Sequence, residues 1–103
     1  GMAVVKINAI RIPEGAGPEL EKRFHARAHS VDGSPGFLGF QLLRPVKGED
    51  RYFVVTNWET EEDFRNWASG PARAAHAGEQ RNPVASGADL LEFEVVIDQK
   101  PTS

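Results

Sequence analysis

The chain contains no cysteine. That excludes a disulfide framework, a CxxC redox pair, thiolate metal ligands and a cysteine nucleophile. No apolar run approaches the about 18 residues that a membrane span needs, and no charged-then-apolar secretory segment opens the sequence. A basic excess is also missing: 15 Asp and Glu stand against 12 Lys and Arg, a net charge of −3. Nucleic-acid binding draws on a positive field that this composition lacks. There is no Gly-rich phosphate fingerprint after a strand, no HExxH pair, and no nucleophile elbow around Ser69. Chemistry is left to His, Trp, Asn, Arg and carboxylates, or to a bound cofactor, in a chain expected to be cytoplasmic with no membrane insertion.

What is present is an ordinary globular balance, 103 residues with 40% hydrophobic and 26% charged, enough for one core. A single domain is expected over 2–98, with 99–103 as a flexible tail. Residues 3–12, AVVKINAIRI, read as a strand rich in β-branched residues. Alternation puts Val5, Ile7 and Ala9 on one face and Val4, Lys6, Asn8, Ile10 and Ile12 on the other. Apolar residues on both faces predict that both are covered. Pro13, Gly15, Gly17 and Pro18 stop the strand. Pro18 suits a first helical turn, and Leu20, Phe24, Ala28 and Val31 make an apolar stripe, which predicts a helix over 17–31. FLGFQLLRP (37–45) and RYFVVTNWE (51–59) predict a hairpin around the five-residue loop VKGED. Thr60 and Asp63 form an approximate capping box ahead of a second helix at 60–69. The alanine-rich stretch 72–80 predicts a short third helix, and DLLEFEVVID (89–98) predicts the last strand.

The order is βαββαβ, an α+β ferredoxin-like pattern. Helices can cover one face of a four-stranded sheet, but the other face carries alternate Val, Phe and Leu and needs a partner. Two sheets packed about a two-fold axis bury both, so a homodimer forming a dimeric α+β barrel is expected.

Several residues could carry chemistry. His25 and His29 lie four apart on the expected helix, a spacing that can hold zinc given a third ligand; two exposed helix histidines is the plainer reading. His76 sits among Ala72, Ala74, Ala75, Ala77 and Gly78. Such small neighbours leave room for a flat ligand to reach the imidazole, as haem iron does with a proximal histidine; a surface histidine fits the same pattern. Trp67 is either core or ligand contact, and Trp58 reads as packing. Asn8 is an amide among apolar neighbours, which either bonds locally or waits for a ligand. Arg23 and Arg27 are either solvated or hold carboxylates.

The stretches VVKINAI, GAGPELEKRF, SPGFLGFQLLRPVKGE, RYFVVT, AAHAG and LLEFEVV carry a resemblance, from about Val4 to Val96, to the antibiotic-biosynthesis monooxygenase superfamily. More narrowly, the chain resembles its haem-degrading, IsdG-type members. The family's Asn–Trp–His trio matches Asn8, Trp67 and His76. The resemblance implies His76 as axial iron ligand, Asn8 as a hydrogen-bond donor beside bound dioxygen, and Trp67 as the group that presses the porphyrin out of plane. It also implies Arg27, with Arg23 nearby, in a propionate or gating role, and Phe24 as pocket lining. Haem would be both substrate and cofactor, with O2 and an external electron donor, delivered by an unidentified reductase, and a mycobilin-type product. A non-catalytic haem storage or transfer protein is the alternative; so is a cofactor-free monooxygenase acting on an aromatic or polyketide substrate.

Overall fold

The computed structural model describes residues 2–70 and 87–102. Its elements are β1 (Val4–Arg11), α1 (Gly17–Ala26), β2 (Phe37–Leu43), β3 (Tyr52–Trp58), α2 (Glu61–Ala68) and β4 (Gly87–Glu94). The sheet order is β2-β3-β1-β4, every neighbour antiparallel. This is the ferredoxin-like βαββαβ arrangement predicted above. The short helix expected over 72–80 lies outside the described residues.

β1 and β3 are the interior strands and carry apolar side chains on both faces; β1 exchanges hydrogen bonds with β3 on one side and β4 on the other. Its Val4, Lys6, Asn8 and Ile10 face the helices. A β-bulge between Phe37 and Gly39 on β2 extrudes Leu38, which is exposed. The extra residue puts Phe37 and Phe40 on the same face although they are three positions apart in sequence, and both pack against the core beneath the helices.

Three element boundaries differ from expectation. The first helix ends at Ala26, not at residue 31; Arg27 leaves helical geometry at φ −126°. The chain continues through i→i+3 turns (Ser30 N–H to Arg27 C=O, 3.0 Å; Ser34 N–H to Val31 C=O, 2.9 Å), which still bring Val31 into the core. The hairpin connection spans 44–51 instead of five residues. The last strand runs 87–94, not 89–98. Its ladder ends where β1 begins, at the pair Val4–Glu94, with one further bond from Val95 N–H to Ala3 C=O. Beyond that no partner strand remains.

α2 starts at the expected cap: Thr60 Oγ1 accepts from Asp63 N–H at 3.0 Å. Gly36 (φ +76°) lies against this turn, and a Cβ there would run into the Asp63 carboxylate.

The core on the helix-covered face is divided. One cluster joins Ile10, Leu20, Phe24 and Tyr52, with Ile12, Phe40, Leu42 and Val54 around it. The other joins Val4, Val31 and Trp58, with Phe37, Phe64 and Trp67. On the opposite face, Val5, Ile7, Phe53 and Leu91 are only partly buried and Leu43 and Phe93 are exposed.

Candidate active site

The division in the core is laid out by strand register. Residues paired across antiparallel strands share a face, so four rows cross the helix-covered face. The Val4 row contains Trp58 and Phe37, and the Ile10 row contains Tyr52. Each of these rows lies under one cluster. Between them run the Lys6 row, with Thr56, Phe40 and Glu92, and the Asn8 row, with Val54, Leu42 and Leu90. Val4 to Ile10 spans about 20 Å at the rise of an extended strand. Phe40, Leu42 and Val54 of these middle rows pack against the Ile10 cluster, and the β4 edge of the Asn8 row, at Leu90, stays exposed.

Asn8 occupies the middle of its row. Leu42, Val54 and Leu90 make the rest of it apolar, and Leu90 is 52% exposed although it faces the helix side. The half-buried Asn8 amide takes no side-chain hydrogen bond from any described residue. An amide that served the fold would be bonded; this one opens onto an apolar floor. Leu90 and Val54 are site candidates that sequence reading missed. Only the pairing of three separate strands brings them beside Asn8, and no single strand carries that signal.

Phe24 on α1 stands at the Ile10 end, stacked on Phe40 with centroids 6.0 Å apart and planes at 22°. The Arg27 guanidinium lies over the Phe24 ring, 4.3 Å from its centroid. Arg23, one turn earlier, has its Nε 3.1 Å from Glu19. Phe24 and the two arginines therefore come from one short stretch, as expected. Trp67 belongs to the other end. Its ring lies 5.5 Å from Trp58 at 35° and 6.4 Å from Phe64 at 41°. Trp58 itself is completely buried, its Nε1–H donating to Thr56 Oγ1 at 2.9 Å, which bears out its reading as packing. His76 lies outside the described residues. Because α1 stops at Ala26, His25 and His29 share no helical face, and His29 Nδ1 is 2.8 Å from Asp32.

Charge is fixed around the site by two clusters. Lys6, 4% exposed, places Nζ 2.5 Å from Glu61 and 2.7 Å from Glu92. Burial works against its ammonium, but the hydrogen bonds and charges of the two carboxylates outweigh that and raise its pKa. At the α1 end, Glu21 accepts from Arg44 Nε (2.8 Å) and Nη2 (2.5 Å) and from the Tyr52 hydroxyl (2.5 Å). The Arg44 bonds, then that of Tyr52, hold its carboxyl at about 2. A surface groove of about 700 Å³ runs along Lys6, lined also by Thr60, Glu61, Glu62, Arg65 and Glu92–Glu94. Its acidic lining suits no dicarboxylate, and Asn8 is not part of it.

An apolar floor with one uncommitted amide, an aromatic side chain at either end and guanidinium groups on one wall fits a broad, flat, mostly apolar ring that carries carboxylates. A porphyrin has those features. The architecture is that of a small α+β oxygenase domain built on a ferredoxin-like sheet. Residues 3–78 match the Antibiotic biosynthesis monooxygenase family, and the chain belongs to that family. It is 75% identical over 97 residues to the haem oxygenase (mycobilin-producing) of Mycobacterium tuberculosis, an alignment covering 94% of this chain and 92% of the relative. Among solved structures, the haem-degrader MhuD of the same organism, with two haems bound in its active site, superposes with a TM-score of 0.87 at 74% identity, covering 94% of this chain and 99% of that one. An arginine-to-serine mutant of MhuD with two manganese protoporphyrin IX molecules per active site gives a TM-score of 0.88 at 72% identity, covering 95% and 99%.

Proposed function

We propose that this chain is an oxygen-dependent haem-degrading monooxygenase that takes haem as its substrate, opens the tetrapyrrole and releases iron. The observation that carries this reading is its 75% identity, across 94% of its length, to an enzyme named for producing mycobilin from haem. The Asn8 row agrees with it in polarity, an amide among the apolar Leu42, Val54 and Leu90. The product is a mycobilin-type open tetrapyrrole. O2 and an external electron donor, passed on by a reductase, complete the reaction in a cytoplasmic setting.

The roles follow from placement. Bound haem supplies the redox-active iron and the ring to be oxidised. Asn8 offers an amide N–H with no partner among the described residues, a donor that remains free for a bound ligand. Trp67, backed by the immobile Trp58 ring, presents a stiff indole that can bear on one edge of the macrocycle without yielding. A force on one edge bends a ring only if the ring is held elsewhere, and His76 is the residue assigned to hold the iron. Arg23 and Arg27 would hold the propionate carboxylates, with Arg27 braced on Phe24. Binding energy over the rest of the macrocycle offsets the cost of bending it.

A second copy of the chain covers the other sheet face. Phe93 is 52% exposed and Leu43 43% exposed there, beside the partly buried Val5, Ile7, Phe53 and Leu91, and a two-fold pair would remove this apolar surface from water.

Titration with hemin, then reductant and air, then mass spectrometry of the product tests the reading. A saturable Soret shift, bleaching, iron release and an open tetrapyrrole are expected. A Soret band that persists under turnover conditions means haem carriage without degradation, and no saturable shift means a cofactor-free enzyme.

A further inference from the structure

We propose that Lys6 is a positioning residue for Trp67: its ammonium ties the first turn of α2 to the sheet and so sets the pose of the indole against Trp58. The functional part of this proposal rests on the reading that Trp67 bends a bound porphyrin.

α2 is short and none of its residues is fully buried. Its hold on the sheet comes from the half-buried Phe64 and Trp67 on the Trp58 cluster, from the contact of Asp63 with Gly36, and from Lys6. Among the described residues, Lys6 reaches the helix from the row next to Asn8, on the same face. Its Nζ bonds Glu61, the first residue of α2, and lies 4.8 Å from the centroid of the Phe64 ring. Glu61, Phe64 and Trp67 follow at three-residue intervals, so the same side of the helix that Lys6 grips carries the indole. Glu92 on β4 anchors the ammonium from the sheet side.

A buried ammonium is a poor way to gain stability, because desolvation offsets most of the Coulombic attraction and apolar replacements are often tolerated. Glu61 and Glu92 are 37% and 53% exposed, and water can take over their solvation if Lys6 is lost. What the Lys6–Glu61 bond supplies that an apolar contact would not is direction. A methionine at this position would keep the packing and lose the tie.

Trp58 and Trp67, 5.5 Å apart, form an exciton pair readable by circular dichroism in protein without haem. Trp58 is completely buried, so a change in the couplet reports Trp67. Lys6→Met and Glu61→Ala are expected to fold and to lose most of the couplet amplitude, whereas Glu92→Gln, which leaves the link to α2 in place, keeps it. In the haem-loaded protein, Lys6→Met moves the resonance Raman signature of ring distortion toward planar. kcat then falls by roughly 10- to 100-fold, the scale of a misplaced group, while haem affinity holds. An unchanged couplet in Lys6→Met overturns the proposal. So does an unchanged Raman signature in Lys6→Met when Trp67→Phe does change it. If Trp67→Phe itself leaves the signature unchanged, the bending role of Trp67 fails instead, and the couplet still decides whether Lys6 sets its pose.

Discussion

Asn8 offers the sharpest separation between a residue kept for the fold and one kept for the reaction. A buried amide that serves the fold costs about 1–3 kcal/mol when removed, because its partners are left unsatisfied. The Asn8 amide has no such partner among the described residues, and its row neighbours are Leu42, Val54 and Leu90. Asn8→Leu replaces the amide with a side chain of similar size that its neighbours would accept. At about 0.8 kcal/mol per buried methylene, and with the position only half-buried, a gain of about 1 kcal/mol is expected in protein without haem. Asn8→Ala should fall within about 0.5 kcal/mol of the parent. Turnover should respond in the opposite direction. Losing a hydrogen-bond donor at a reacting centre typically lowers kcat by about 100-fold or more, and both variants should show that loss while still binding hemin. The assay pairs urea unfolding of the haem-free protein with hemin titration and the rate of Soret bleaching. If Asn8→Leu loses more than about 1 kcal/mol, the amide is structural; if either variant bleaches haem at the parent rate, the donor role is wrong.

Trp58→Ala should destabilise the fold by about 3–5 kcal/mol, since the ring is completely buried and touches Phe37, Phe64 and Trp67; Trp67→Ala should cost clearly less, and equal denaturation midpoints would contradict the placement of the two rings. Glu21 is held at about 2, against an ordinary 4.5, by Arg44 and Tyr52. Its contribution is complete above pH 4.5 and is lost as pH falls toward 2, so Glu21→Gln should flatten the acid side of the stability profile, and an unchanged acid slope would refute the assignment. Thr60→Ala removes the cap on α2 and should lower stability by about 1 kcal/mol, measured by urea unfolding; no loss would mean that the cap bond does not form.

The sequence patterns that proved reliable were local. Alternation in β1 identified the face that holds Asn8, and Thr60 with Asp63 marked the start of α2. Patterns that depend on a distant partner misled. Val31 continues the apolar stripe of α1, and burial bears that out, yet the chain reaches the core through i→i+3 turns and not through helix. Val96 and Ile97 are β-branched and read as strand, but they are 77% and 81% exposed, because β1 has already ended and an unpaired extension has nothing to bond. The length of β4 is a property of its neighbour. The same logic hid Lys6: a lysine on a strand reads as a solvated charge until α2 and β4 bring Glu61 and Glu92 to it.

The two middle rows make sense together on these grounds. A sheet optimised only for stability would fill them with apolar side chains and join the two clusters into one core. Instead one row holds an ammonium that must be paired and the other an amide with no partner among the described residues. Each is a local departure from the pattern of its strand, and both occur within one pleat of each other on the helix-covered face of the sheet. Departures of this kind concentrate where function competes with folding. Filling both rows at once, with Lys6→Met and Asn8→Leu together, should therefore yield a protein at least as stable as the parent that still accepts hemin and no longer degrades it. A double variant that is less stable than the parent would mean that the gap is required by the fold itself.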